Sequence, residues 1–338
     1  MHLLREQSMK RLKVCLIGGG TGLSVMARGL KEYPVDITAI VTVADDGGST
    51  GKIRDVMDIP APGDIRNVLA ALSDVEPMLE KLFQYRFNSD TLGGHPVGNL
   101  MIAAMTDVTD DFGHAVKELS KILNVKGTVI PSTNTSPILN AVMEDGEIVV
   151  GESLIPLKLK RIDSVFLTPG YIKPMQEAVD AVLEADLIVL GPGSLYTSII
   201  PNLVIRDLGD AVIESKAKKL YVSNIMTQPG ETTDYSVSDH IEAIHKHVAS
   251  PFIQFVIANE IVLENKINEN YAKRNSKFVT CDSENIKRLG ITLITDDGLV
   301  EINEEGAVRH NNEVLAEMIY ELALSEISTI EFTQKEGE

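Results

Sequence analysis

KVCLIGGGTGLS, residues 13–24, is the stretch on which the fold turns. Lys13 to Ile17 is a short apolar run that breaks directly into glycine, the pattern of a strand buried on both faces of a parallel sheet. From Ser24 to Lys31 the pattern turns helical, and Asp36 to Val43 (DITAIVTV) is rich in β-branched residues and reads as a second strand. Strand, helix and strand in this order make a βαβ unit.

Working outward, Asp64 to Asn124 is mostly helical in pattern, broken by a loop at Leu92 to Asn99 (LGGHPVGN). Short strands are predicted at Gly127–Ile130, Ile138–Met143, Glu147–Val150 and Ser164–Leu167, with Glu144, Asp145 and Gly146 as hairpin-turn chemistry. A helix (EAVDAVLEA) then leads into the strand Asp186–Leu190, followed by a strand at Lys219–Val222, a helix around Asp239–His247 and a strand at Phe252–Ala258. This alternation predicts an α/β fold: a doubly wound, mostly parallel, Rossmann-like sheet with a helical insertion at about 64–125. No linker or repeat divides it, so one domain is expected over 11–325, with a flexible lead at 1–10 and a flexible acidic tail at 326–338.

The bulk chemistry narrows the partners. Of 338 residues, 31 are Lys or Arg and 49 are Asp or Glu, a net charge of -18. Such a surface repels a phosphate backbone and an anionic membrane, which argues against a nucleic-acid partner and leaves small ligands and a homo-oligomer open. Local backbone N–H groups still bind phosphate in a negative protein. No run is long enough to span a bilayer, and the N-terminus lacks the apolar stretch of a signal peptide. Two cysteines far apart, Cys15 and Cys281, read as free thiols in a reducing compartment, and the expected location is cytoplasmic.

Ligands of open parallel sheets bind at the carboxyl ends of the strands. Four strand ends here carry unusual loops: GGGTG, ADDGGSTG, GPGSLYTS and SNIMTQPGE. Gly19, Gly20, Thr21 and Gly22 follow a strand and open a helix, the context in which backbone N–H groups hold a diphosphate. The dinucleotide fingerprint GxGxxG is not met, because its third glycine falls on Leu23 or Val25. A tight turn with no ligand is the alternative. Asp45 and Asp46, followed by Gly48 and Ser49, suit ribose hydroxyls or a Mg²⁺ ion shared with ligand phosphates; they equally suit a turn cap. Asp64, Arg66 and Asn67 open a helix after a Pro-Gly turn, and Arg66 is either an anion clamp or a solvated side chain. His95 and Asn99 lie in a glycine-rich loop, with His95 an acid–base candidate alongside Asp45, Asp46 and Arg66. Gly191, Gly193, Ser194, Tyr196 and Thr197 repeat the strand–glycine–helix logic, and Asn224, Thr227, Gln228 and Glu231 complete the edge. His240, His245 and His247 flank an apolar helix face and are not spaced as metal ligands.

GGGTGLS, VTVADDGGSTGKIR, PGDIRNVL, LFQYRF, GHPVGNLMIAA, ADLIVLGPGSLYTSIIPNL and NIMTQPGET together resemble the YvcK-type gluconeogenesis factors. These are similar to CofD, the phospholactate transferase of deazaflavin coenzyme synthesis. The resemblance runs from about Lys13 to Glu260 and fades after it. It implies a CofD-like Rossmann-type fold, binding of a UDP-sugar, notably UDP-N-acetylglucosamine, and a role in cell shape and wall synthesis on gluconeogenic carbon sources. CofD itself uses a divalent metal and a guanosine diphosphate adduct. Three functions follow as expectations: a UDP-sugar-binding regulator, a metal-dependent CofD-like transferase, and an NAD-binding oxidoreductase, the last disfavoured by the broken fingerprint.

Overall fold

β1 (Leu12–Gly18) leads straight into α1 (Gly20–Leu30), and β2 (Val35–Val41) follows. The computed structural model describes residues 11–75, 77–88, 92–261, 271, 273, 275–303 and 306–325. The termini expected to be flexible lie outside them. Between β2 and the next strand lie α2 (Gly48–Met57), α3 (Pro62–Leu72), α4 (Pro77–Gln84), α5 (Val97–Thr109) and α6 (Phe112–Ile122). Then come β3 (Thr128–Pro131), β4 (Ile138–Met143), β5 (Ile148–Val150), β6 (Ile162–Thr168), α7 (Gln176–Glu184) and β7 (Leu187–Leu190). A π-helical turn at Leu195–Ile199 opens α8 (Ile200–Leu203); α9 (Arg206–Glu214), β8 (Lys218–Val222), α10 (Val237–Val248) and β9 (Phe255–Ile257) continue the alternation. The last described elements are α11 (Ser283–Arg288), β10 (Thr292–Ile294), the hairpin β11 (Val300–Ile302) and β12 (Val308–His310), and α12 (Asn312–Leu324).

The main sheet has the order β10-β9-β8-β7-β1-β2-β3, and its pairings are parallel. β1 lies inside it, between β7 and β2, and is buried on both sides. Val14 and Leu16 join the core under α1, α3 and α12, while Cys15 and Ile17 join the opposite core with α7 to α10. Each such fully buried aliphatic side chain contributes about 1.5–3 kcal/mol. That two-sided demand is why the run is apolar without alternation. β4, β5 and β6 form a separate antiparallel sheet that turns Leu139, Ala141 and Met143 inward. At Gly29 the α1 backbone meets α12 so closely that a Cβ would strike the Asn312 carbonyl.

The α/β, mostly parallel architecture matches the sequence reading, and the differences are local. α1 starts at Gly20 rather than Ser24, because the glycines themselves make its first turn. GSTGKIRDVM, read as part of a loop, forms α2. β9 is shorter than the predicted Phe252–Ala258, and the hairpin and small strands after Asn259 carry no pattern strong enough to predict.

The order places β1 beside β7. The chain leaves β1 toward β2 and β3, and returns at β7 on the other side. Their carboxyl ends diverge there, which is the position at which doubly wound sheets bind ligands.

Candidate functional site

The loops leaving β1 and β7 face each other across a cleft of about 470 Å³. Gly19, Gly20, Thr21 and Gly22 form one wall, and Pro192, Gly193, Ser194 and Ser198 another. The two turns touch: a Cβ on Gly22 would land on the Pro192 carbonyl. Gly191 has φ 76°, a left-handed conformation, and a Cβ there would also press on Ile199 and the Val222 carbonyl.

The head of α1 carries amides with no helical acceptor and the positive end of its dipole. Asp64, from the start of α3, sits against it. A Cβ on Gly19 would be 2.9 Å from Asp64 Oδ2, a Cβ on Gly20 would be 2.5 Å from Oδ1, and the Gly20 N–H donates to this carboxylate. Burial, with the charge of Asp45, pushes the Asp64 carboxyl up to about 7.

The second turn spends its amides differently. Gly193 N–H donates to Asn224 Oδ1 at 3.1 Å, and Asn224 Nδ2 donates back to the Gly193 carbonyl at 2.8 Å. Ser194 Oγ accepts from Gln228 Nε2 at 2.7 Å. Tyr196 and Thr197 do not line the cleft. Tyr196 is buried with its hydroxyl 2.7 Å from that of Tyr235, and Thr197 donates to Glu231 Oε1 at 3.4 Å. The buried Glu231 carboxyl also accepts the N–H groups of Tyr196 and Thr197, and burial pushes it up to about 7.

The acidic pair divides. Asp46 accepts the backbone N–H groups of Glu152 and Ser153 at 3.0 and 2.8 Å, holding the short turn that follows β5. Asp45 accepts Gly47 N–H through Oδ1, and its Oδ2 lies 3.3 Å from where a Cβ on Gly63 would be, beside Asp64. Arg54 fixes this loop from below, donating to the carbonyls of Ala44, Asp45 and Pro137. Glu152 completes the acidic region; burial and the charges of Asp45 and Asp46 push it up to about 8. Among the described residues, no three His, Cys, Asp or Glu side chains converge tightly enough to enclose a metal ion.

A second polar group lies between α2, α3 and α5. Ser49, just after Gly48 at the head of α2, has its hydroxyl 2.7 Å from His95 Nδ1 and accepts from Asn99 Nδ2 at 3.2 Å. Arg66 Nη2 donates to Asn67 Oδ1 at 2.7 Å. None of Ser49, Arg66, Asn67, His95 and Asn99 lines the glycine cleft.

Sequence reasoning missed a further wall of the cleft. Tyr271 and Val308–His310 line the cleft, joined by a 2.8 Å bond from Val308 N–H to the Tyr271 hydroxyl. His310 reaches the Ser223 carbonyl at 3.1 Å, and burial lowers it to about 4, so it is neutral. No sequence signal marks this hairpin. Ser198 was within reach of sequence reasoning, four residues beyond Ser194 on the same turn. The helix histidines serve backbone groups: His247 Nε2 accepts Val165 N–H, and His245 Nε2 accepts those of Phe252 and Ile253.

No helix among the described residues is long and apolar enough to cross a membrane. Residues 14–299 match the family described as 2-phospho-L-lactate transferase CofD. The chain is 51% identical over 311 residues to the gluconeogenesis factor of Bacillus subtilis (strain 168), covering 92% of this chain and 98% of that protein. It is 49% identical over 314 residues to the gluconeogenesis factor of Halalkalibacterium halodurans, covering 93% and 97%. A crystal structure of a Bacillus halodurans protein superposes with a TM-score of 0.89 at 49% identity, covering 92% of this chain and all of that one.

Proposed function

The chain belongs to the CofD family, among its gluconeogenesis factors, and on that premise we propose that its glycine cleft binds the diphosphate of a UDP-sugar, with UDP-N-acetylglucosamine as the first candidate. The observation that carries the reading is the meeting of two strand-end turns at the β1/β7 switch point, with the head of α1 opening into the cleft. The diphosphate rests on the amides of Thr21 and Gly22, where a helix terminus favours an anion by about 0.3–1 kcal/mol or more. Ser194, Ser198 and Gln228 offer hydroxyl and amide partners to the sugar, and Tyr271 and Arg309 close the far side. The volume falls within the roughly 300–1,000 Å³ of small-molecule sites. In the cell, such a protein reads nucleotide-sugar supply in the cytoplasm and adjusts wall synthesis and shape on gluconeogenic carbon. Calorimetry with UDP-N-acetylglucosamine, UDP, GDP and NAD tests the ligand. Saturable uridine-selective binding supports the reading, and no binding at millimolar UDP-sugar beside tight GDP or NAD overturns it.

The acidic region supports a second reading, a transferase that acts on a nucleotide diphosphate adduct. Asp45 keeps an oxygen toward Asp64, with Glu152 near, a donor set that fits Mg²⁺ held by one or two carboxylates, waters and ligand phosphates. Asp46, with both oxygens on the 152–154 turn, fits such an ion less well than Asp45. The ion would supply charge neutralisation at the phosphates, while the chain's own residues hold and orient them. Under this reading Asp45→Ala abolishes turnover far more than binding. Absence of any Mg²⁺-dependent product from nucleotide diphosphate adducts sinks it.

A further inference from the structure

We propose that Arg66, with Asn67, Ser49 and Asn99, forms an oxyanion subsite that adjoins the glycine cleft and is separate from it. Arg66 is 9% exposed. Its stem is fixed against α5, since a Cβ on Gly98 would lie 2.7 and 2.9 Å from Arg66 Cγ and Cδ. That close approach delivers the guanidinium between α3 and α5. There it bonds the neutral Asn67, while Nε is buried without a partner among the described residues. Among the described residues no carboxylate pairs with it in an ion pair; Asp64 and Asp45 act on it only at longer range, and Arg86 adds a like charge.

A buried guanidinium with an unsatisfied donor and a second arginine near it is costly in the free protein. An incoming oxyanion removes that cost, because the planar fork matches a phosphate or carboxylate with two parallel N–H bonds. The neighbouring amide carries the same signature. Asn99 is 2% exposed, gives its Nδ2 to Ser49, and keeps Oδ1 buried without a partner among the described residues. Asn67 links the two sites: its Nδ2 lies 2.9 Å from where a Cβ of Gly20 would be. The subsite therefore begins one side chain away from the diphosphate turn. It takes an oxyanion supplied either by the outer part of the same ligand or by a separate small molecule.

Inorganic phosphate is the probe. The Arg66 Nε–H signal in a ¹H–¹⁵N spectrum, assigned by its loss in Arg66→Lys, reports contact directly. Phosphate is expected to shift that signal saturably in the wild-type protein, and calorimetry should show at least tenfold weaker binding in Arg66→Met. Adding UDP to the phosphate-loaded protein separates the sources. Retention of the shifted signal supports two distinct sites, and full displacement of phosphate from Arg66 overturns the separation. An Arg66 signal that stays still at saturating phosphate overturns the subsite outright, and the otherwise unchanged spectrum of Arg66→Lys verifies that the variant used for assignment is folded. If UDP fails to bind while phosphate still moves Arg66, the nucleotide-sugar reading fails and the subsite stands.

Discussion

At the end of β1, Gly20 to Gly22 put the head of α1 into the cleft, with the Asp64 carboxylate on the Gly20 amide. At the end of β7, the amide of Gly193 is held by Asn224, and those of Tyr196 and Thr197 by Glu231. Both loops have the same plan: a buried parallel strand, a glycine turn and a helical segment. One turn gives its Gly20 amide to Asp64 and leaves those of Thr21 and Gly22 without a helical acceptor; the other satisfies its amides from within and offers hydroxyls instead. A glycine-rich turn after a strand thus shows where a backbone comes close, and the residues arriving from elsewhere decide whether its donors are available.

The sharpest way to break this contrast is at Gly22. A valine there collides with the Pro192 carbonyl and fills the anchor, so UDP affinity should fall by at least about a hundredfold, or roughly 3 kcal/mol. Calorimetry checks it, with circular dichroism to verify folding. Comparable loss from Ser194→Ala, which removes only a hydroxyl from the second turn, would erase the distinction between anchor and wall.

Asn224→Ala strips both partners from Gly193 and should destabilise the protein by about 1–3 kcal/mol, read by urea unfolding. Its effect on UDP binding should be smaller, about tenfold or less, because the turn is a wall. A larger loss of binding than of stability would recast the second turn as an anchor.

Asp64 keeps its proton to about 7 in the folded chain against 3.8 for a free carboxyl. Below that pH it is neutral beside the anchor, and above it a carboxylate faces the incoming phosphate. Affinity for UDP should therefore fall several-fold from pH 6 to 8, and Asp64→Asn should flatten the slope. Glu152, titrating near 8, adds to the same direction. A rise in affinity over this range would refute the assignment.

The smallest effect belongs to Glu231. It carries a proton up to about 7 when folded and to 4.5 when unfolded, so the folded chain holds more protons between those values. Stability contributed there is full below about 4.5 and declines as pH rises to 7. Glu231→Gln should lessen that decline in denaturant midpoints without altering UDP affinity beyond about twofold.

Much of this edge was legible from residue order, because the signals are local. The apolar run at Lys13–Ile17, the glycines after it and the β-branched DITAIVTV each depend on neighbours in sequence. What distinguishes Asp45 from Asp46 is not local: Asp46 is drawn off by amides 106 and 107 residues away. Glu152 was silent for the same reason, as an acid in an ordinary turn. Arg309 and His310 reach the cleft on a hairpin of three-residue strands, too short to show a period of two. Tyr196 looked like a hydroxyl donor beside Ser194, but the π-helical turn directs it into the core toward Tyr235.

The contact between Gly22 and Pro192 has a kinetic consequence. With backbone already against backbone, one jaw of the cleft is fixed, and it can neither tighten on a ligand nor spring open to release one. Any clasping motion falls to the opposite jaw, the hairpin that carries Val308 to His310 and is held by one hydrogen bond to Tyr271 and one to the Ser223 carbonyl. On the nucleotide-sugar reading, residence time would then be set at the Val308–His310 hairpin, far in sequence from the glycine turns.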